Sequence, residues 1–295
     1  MKIVPLFKLT VISIFMLQTS SFAQEKTSMF DPQLLKNVVS IEQCNSTNLP
    51  LGCTNAHPIG TGFLLGSEDG SQTLLITAKH VILDGSGQIK PLLTYRFNER
   101  TNASDLLNDD LLAMNFGKWF ISSNSDLACR FIPYLPNSDI LVCPYGLLLS
   151  SKSVDVTAPV VILGFPMGLR SEHYATPIAR HGMVARSYNG ELVLDCFVFP
   201  GNSGGPVIYC PAIKVGANLT TTLVNSEKNI GVVVEYIPYV DVAISPQTQR
   251  PRISFEENSG LSIATPADRI IELLKRSDVQ EMNSRLHDIQ LKVSH

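Results

Sequence analysis

From about residue 58 to residue 264 the chain is a succession of short β-branched or aliphatic runs, each closed off by Gly, Pro, Asn, Asp or Ser. The runs cover 61–65, 73–77, 91–97, 127–131, 140–143, 160–163, 178–185, 192–198, 205–209, 230–236 and 261–264. Segments this short and this closely spaced, with turn chemistry between them, predict an all-β sandwich or barrel. Helical spacing begins only after Thr265, where Ile270, Ile271, Leu273 and Leu274 share one face. Before that face stands Thr265-Pro266-Ala267-Asp268, a helix start with Pro in the first turn and an acid close behind. Two polar tracts, 98–115 and 238–259, read as surface insertions. The organisation expected is a leader segment over 24–57, one folded domain over 58–275 and a helical tail over 276–295.

The first residues bear on compartment. Lys2 and Lys8 precede an uncharged run over 9–17, followed by the small-x-small triplet Ser21-Phe22-Ala23. This is the pattern of a secretory signal over residues 1–23, cut before Gln24. The apolar run falls short of the roughly 20 residues of a membrane span, so no stable membrane anchor is expected and the destination is periplasmic or extracellular. Lys+Arg of 23 against Asp+Glu of 26 gives a net charge of -3 and a pI near 6.1, which argues against nucleic acid as a partner. The 6 cysteines are even in number, and in an exported chain that favours disulfides. Proximity pairs Cys44 with Cys53, Cys129 with Cys143 and Cys196 with Cys210, the last two around turns at Pro136-Asn137 and at Gly201-Asn202-Ser203-Gly204. No pair has zinc-knuckle spacing, and His57, His80, His173, His181, His287 and His295 form no ligand pattern, so no metal is expected.

Residues 200–206 read Pro-Gly-Asn-Ser-Gly-Gly-Pro, a serine in a glycine-rich turn between two strand-like runs. Such a turn exposes Ser203 while the N–H groups of Gly201 and Ser203 converge on one point, as a developing oxyanion requires. An ordinary hairpin loop uses the same residue types. Two further runs add weight: Leu74-Leu75-Ile76-Thr77-Ala78-Lys79-His80 sets a histidine directly after a strand, and Asn124-Ser125-Asp126-Leu127-Ala128 sets an aspartate directly before another. Each alone is more often structural. The order His80, Asp126, Ser203 is nevertheless that of one of the three known linear arrangements of a Ser-His-Asp triad.

With these motifs the chain resembles the chymotrypsin-like (trypsin-fold) serine peptidases, particularly the bacterial trypsin-like group that includes the HtrA proteases. The resembling stretches also include Gly60-Thr61-Gly62-Phe63, Val161-Ile162-Leu163-Gly164-Phe165-Pro166, Ile230-Gly231-Val232-Val233 and Gly260-Leu261-Ser262-Ile263. The resemblance implies two packed antiparallel β-barrels, to which the periodicity adds a C-terminal helical tail. HtrA proteases usually append PDZ domains, but the roughly 20 residues after Leu274 fall below the roughly 50-residue floor for a domain, so none is expected. The resemblance casts Ser203 as nucleophile, His80 as general base and then acid, Asp126 as orienter of the imidazole, and the Gly201 and Ser203 amides as oxyanion hole. Asp84, Asp105, Asp109, Asp110, Asp139, Asp155 and Asp195 also lie between the histidine and the serine, but only Asp126 has the Ser-Asp-Leu-Ala context. Asn202 stands where digestive trypsins carry an aspartate, so their activating salt bridge to a newly cut N-terminus has no partner here. By the same resemblance Phe197 lies at the base of the primary specificity pocket, implying small or medium apolar side chains before the scissile bond. A slip of two residues would bring in Asp195 and a preference for Arg. Val234, Glu235 and Tyr236 would pair with the substrate backbone as an added strand.

The function expected is that of an exported serine endopeptidase acting on polypeptides through an acyl-enzyme, with no cofactor. A catalytically silent trypsin-fold binding or chaperone-like module is the alternative, and a β-rich carbohydrate-binding protein would leave the ordered motifs to coincidence. In the tail, Val279, Met282, Leu286, Ile289 and Val293 repeat at three- and four-residue steps. That spacing fits a dimer seam or a helix folded back onto its own barrel; two heptads are few for a seam, so a monomer is expected.

Overall fold

Alternation along the strands sorts apolar side chains into three clusters, and these define the layers of the molecule. The computed structural model describes residues 30–45, 53, 55–171, 174–188, 190–210, 214–215, 221–222 and 227–293. The secretory signal expected over 1–23 lies outside the described residues. A 3-10 turn at Pro32–Asn37, capped by the Asp31 carboxylate, leads into β1 (Val38–Cys44), β2 (Ala56–Gly66) and β3 (Thr73–Thr77). Helix α1 (Lys79–Ile82), β4 (Leu93–Asn98), β5 (Ser104–Asn108), α2 (Asp109–Phe116), β6 (Phe120–Ile121) and β7 (Ala128–Ile132) follow. The strands form a 7-stranded antiparallel sheet in the order β5-β4-β1-β2-β3-β7-β6.

The second half contains β8 (Pro159–Gly164), β9 (Ile178–Tyr188), β10 (Glu191–Asp195), β11 (Pro206–Tyr209), β12 (Lys214–Val215), β13 (Thr221–Thr222), β14 (Lys228–Ile244) and β15 (Pro251–Pro266). Six of these close into a barrel, β10-β15-β14-β11-β8-β9, and β12 and β13 pair separately. The chain ends in α3 (Ala267–Leu274) and α4 (Ser277–Val293). The architecture is thus the all-β trypsin-like one with a helical tail.

Leu64, Leu75, Leu93 and Tyr95 fill the first unit, while Ile162, Val184, Leu194 and Val207 fill the second. Between the units, Phe63, Leu65, Leu74, Ile76 and Phe131 meet Val161, Leu163, Ile208 and Val232. Helix α3 adds Ile270, Leu273 and Leu274 to this middle layer, and α4 adds Val279 and Leu286. Asn283 of α4 donates to Asp69 in the β2–β3 turn at 3.0 Å. The seam residues Val279, Met282 and Leu286 are therefore consumed inside the chain, against the first unit rather than the second. Arg130 is fully buried in the first core, paired with Asp109, whose carboxylate also accepts from Tyr95 Oη and Trp119 Nε1.

Several sequence expectations change. Residues 38–44, read as part of a leader, form β1, which lies between β4 and β2 in the sheet. The tract 98–115 supplies β5 and α2, and 238–259 is the outer part of the long β14–β15 hairpin. Residues 140–143 form no named strand; Cys143 makes a single bridge to Leu65. Cys44–Cys53 is a disulfide, with Cα atoms 5.8 Å apart, but Cys129, Cys143, Cys196 and Cys210 are free and buried. Topology explains both failures. Cys143 borders β2 on the side away from β3, so two strands at about 4.8 Å spacing separate it from Cys129 on β7, beyond disulfide reach. Cys196 faces the interior of the second barrel and Cys210 the layer between units, on opposite sides of one wall.

Truncation after Arg276 removes α4 and uncovers Leu74 and Phe131 beside Leu274. The full chain is expected to run as a monomer in light scattering, and the truncated chain to melt roughly 5–15 °C lower. An unchanged melting temperature would show that α4 contributes no packing.

Candidate active site

Strand β3 ends at Thr77, and the chain turns at Ala78 into the four-residue helix α1, which carries His80 at its second position. Lys90 caps that helix by donating to the carbonyls of His80 and Val81. Asp126 sits at the end of the β6–β7 loop and takes hold of the histidine twice. Its Oδ1 accepts the backbone N–H of His80 at 3.0 Å, and its Oδ2 lies 2.6 Å from Nδ1. A carboxylate only accepts, so Nδ1 carries a proton, and in the neutral imidazole that tautomer leaves the lone pair on Nε2. Burial pushes the Asp126 carboxyl up, yet the hydrogen bonds and charge of His80, with Lys79 adding, outweigh it and leave the pKa below the usual carboxylate range.

Ser203 lies across the layer between the units, in the loop before β11. Gly204 of that loop has φ +87 and is packed so closely on Thr77 and Ala78 that a Cβ would fall 2.0 Å from the Thr61 carbonyl and 3.1 Å from the Ala78 nitrogen. The serine loop is thereby seated against the residues that lead into His80. The Ser203 hydroxyl donates to the Val234 carbonyl at 2.9 Å, and among the described residues no hydrogen bond joins it to His80. Val234 is available for this because a bulge between Val233 and Glu235 drops it from the β14–β15 ladder.

The four loop carbonyls from Pro200 to Ser203 are engaged. Pro200 O accepts from Met167 N–H at 2.6 Å, Gly201 O from Thr61 Oγ1 at 2.6 Å, Asn202 O from Gly205 N–H at 2.9 Å and Ser203 O from Thr61 N–H at 2.9 Å. In a planar trans peptide the C=O and the following N–H point in opposite directions. Holding Pro200 O and Asn202 O outward therefore turns the N–H groups of Gly201 and Ser203 the other way, and among the described residues neither amide meets a protein acceptor. Gly201 has φ +99, and a Cβ there would lie 2.3 Å from the Phe165 carbonyl, so glycine is required.

Of the residues marked from sequence, His80 and Asp126 are brought together, and Val234 is brought to Ser203. Glu235 is exposed, and Tyr236 donates its hydroxyl to Glu256. Phe197 is 52% exposed, with its ring over Gly260, rather than enclosed at the base of a pocket. Asp195 closes β10 with an exposed side chain. Three of the seven competing acids are engaged elsewhere: Asp84 with Ser86 and Gln88, Asp109 with Arg130, and Asp139 with Lys36 and Tyr174. Sequence reasoning missed Thr61 and Met167 as holders of the loop. The Gly60-Thr61-Gly62 triplet was a signal for the first, and Met167 gave none.

Among known protein families, that of the trypsin-like peptidase domain matches residues 60–211. No curated protein matches the chain. Among solved structures, the HtrA-type protease AlgW with a tripeptide is similar at 14% identity and a TM-score of 0.47, over 84% of this chain and 61% of that one. A variant of AlgW with a tripeptide gives 15% identity and 0.45, over 81% and 58%. With a decapeptide the variant gives 15% and 0.44, over 80% and 62%. The chain thus spans 58–62% of the length of those structures.

The depressed pKa of Asp126 has a definite sign. A carboxyl held below its unfolded value contributes stability above about pH 4, and that stability disappears as pH falls through the folded-state value. Melting temperature is expected to fall more steeply between pH 5 and pH 3 (approximate bounds of that window) in the wild type than in Asp126→Asn. Parallel curves for the two proteins would remove Asp126 from the stability balance.

Proposed function

The chain belongs to the trypsin-like peptidase family, and from that premise we propose that it is an exported serine endopeptidase acting through Ser203, His80 and Asp126. One observation carries the reading: two amides, Gly201 and Ser203, meet no acceptor among the described residues, in a loop whose carbonyls from Pro200 to Ser203 are held elsewhere, beside a hydroxyl. In the reaction, rotation about one side-chain bond takes the Ser203 hydroxyl off Val234. His80 Nε2 accepts its proton as Oγ attacks the substrate carbonyl. The oxyanion that forms receives the two amides, and Asp126 stabilises the imidazolium. His80 then returns the proton to the leaving amine, giving an acyl-enzyme that water hydrolyses by the same route.

Beyond Val232, β14 is no longer paired with β11, so Val234 to Tyr236 offer an edge to a substrate backbone. The preference for small or medium apolar side chains before the scissile bond rests on the position of Phe197, six residues before Ser203, and not on an enclosed pocket. The Cys44–Cys53 disulfide supports an oxidising compartment, periplasmic or extracellular, and no described helix is long and apolar enough to cross a membrane. The bond from Ser203 to Val234 favours a second reading, in which the serine is parked and the protein is a silent binding module.

A serine-directed fluorophosphonate is expected to label the wild type and leave Ser203→Ala unlabelled, with peptide hydrolysis lost in the same variant. Asp126→Asn is expected to lose about 10⁴ in turnover, because the imidazole then adopts the wrong tautomer. Equal hydrolysis by wild type and Ser203→Ala would overturn the assignment, and absence of labelling in both would favour the binding module. In a peptide library, cleavage is expected after small or medium apolar residues; preferential cleavage after Arg would overturn the role given to Phe197 and point to Asp195.

A further inference from the structure

The aim of the Gly201 amide depends on Met167, since the Met167 N–H fixes the Pro200 carbonyl of the same peptide at 2.6 Å. Met167 has φ 55, a left-handed conformation that is strained for an ordinary side chain and persists only where the surroundings impose it. The turn is tied at its entry by Phe165, fully buried, whose N–H donates to Thr61 Oγ1 at 3.1 Å. At its exit stands Arg170. Its Nε lies 2.8 Å from Glu42 Oε1 as an ion pair that lacks hydrogen-bond alignment, and its Nη2 donates to Oε2 at 3.4 Å.

Glu42 is fully buried on β1, in the other half of the molecule. It is already matched: Arg96 donates to it through Nε at 2.8 Å and Nη2 at 2.9 Å, and Ser40 Oγ at 3.0 Å. A second guanidinium on a carboxylate that is already neutralised is not needed for charge balance. What it adds is a tether between β1 and the turn that carries Met167.

We propose that Arg170 is a positioning residue for the oxyanion hole: by gripping Glu42 it holds the 165–170 turn against Pro200 and keeps the Gly201 amide aimed at the reacting carbonyl. The proposal rests on the peptidase reading of Ser203. It predicts a defect confined to the transition state, because nothing in the tether touches His80, Asp126 or the β14 edge.

The test compares wild type, Arg170→Ala, Arg170→Lys and, as a control for removing a surface arginine, Arg186→Ala. Arg170→Ala leaves Glu42 with its Arg96 partner, so no buried charge is orphaned. Measured are kcat and KM on a peptide amide, inhibition by the matching peptide aldehyde, whose hemiacetal oxygen occupies the oxyanion hole, and the melting temperature. Arg170→Ala is expected to lose roughly 10- to 100-fold in kcat, part of the loss seen when an oxyanion donor is deleted outright. KM is expected to stay within about twofold, aldehyde affinity to fall in step with kcat, and the pH profile to keep its midpoint. Arg170→Lys, which keeps the charge without the planar fork, is expected to fall between Ala and wild type. Wild-type kcat and aldehyde affinity in Arg170→Ala would overturn the proposal. So would a loss carried by raised KM and lowered melting temperature with aldehyde affinity intact, the mark of a purely structural arginine. A wild type that neither cleaves peptides nor takes the fluorophosphonate overturns the peptidase reading, and the proposal with it.

Discussion

Thr61 joins the two halves of the molecule at the point where the chemistry is built. Its N–H donates to Ser203 O, its hydroxyl donates to Gly201 O and accepts from Phe165 N–H, and its carbonyl accepts the Thr77 hydroxyl. The residue is fully buried, so each of these bonds replaces one that water cannot supply. A buried hydrogen bond is worth only about 0.5–1.5 kcal/mol net, but leaving its partner unmatched costs about 1–3 kcal/mol. One residue on β2, through its hydroxyl and its own peptide groups, thus holds the serine loop of the second barrel, the turn after β8 and the strand leading to His80 in a single arrangement. Loss of any one bond exposes the others to the same penalty.

Two buried ion pairs in the first unit show the same physics put to different ends. Asp109 and Arg130 close on themselves, with Tyr95 and Trp119 supplying the remaining donors, and they orient α2 against β4 and β7. Glu42 is equally buried, but one of its partners comes from beyond the sheet. Buried pairs add little to stability against an apolar replacement, and removing one partner is what costs. Their value here is geometric: a charge that must be matched fixes where its partner, and the backbone attached to it, can be.

How much of this was legible in the sequence follows from how local each signal is. His80, Asp126 and the serine loop could be read because each is bracketed by its own strand and turn residues, and short alternating runs marked most strands. Strand β1 was missed because it is short and partly polar, Val38-Val39-Ser40-Ile41-Glu42-Gln43-Cys44, and what makes Ser40 and Glu42 interior residues is Arg96 on β4, a partner no local pattern shows. Residues 140–143 had strand-like composition but pair with β2 through a single bridge, since register is a property of the partner as well. Two of the three cysteine pairings failed because nearness in sequence says nothing of how many strands come between. Thr61, Met167 and Arg170 act on groups about 30 to 140 residues away, and no local pattern could announce them.

Asn202 shows why the loop needs these distant holders. Its side chain is fully buried, and its Oδ1 accepts the Phe199 N–H at 3.0 Å within the same loop. An aspartate in that place would bring an ionised carboxylate into a region closed to water, at a cost of several kcal/mol unless a cation came with it. In digestive trypsins that cation is a new N-terminal amine, and cleavage of the chain is what orders the site. A neutral asparagine makes no such demand, so nothing about Asn202 ties loop formation to a cut. The geometry is supplied instead by groups already present in the uncut chain: Thr61 beneath the loop and the Met167 turn beside it. Packing between the two halves therefore sets the loop's geometry, and whatever shifts β1 or β2 against the second barrel acts on the Pro200–Ser203 loop directly.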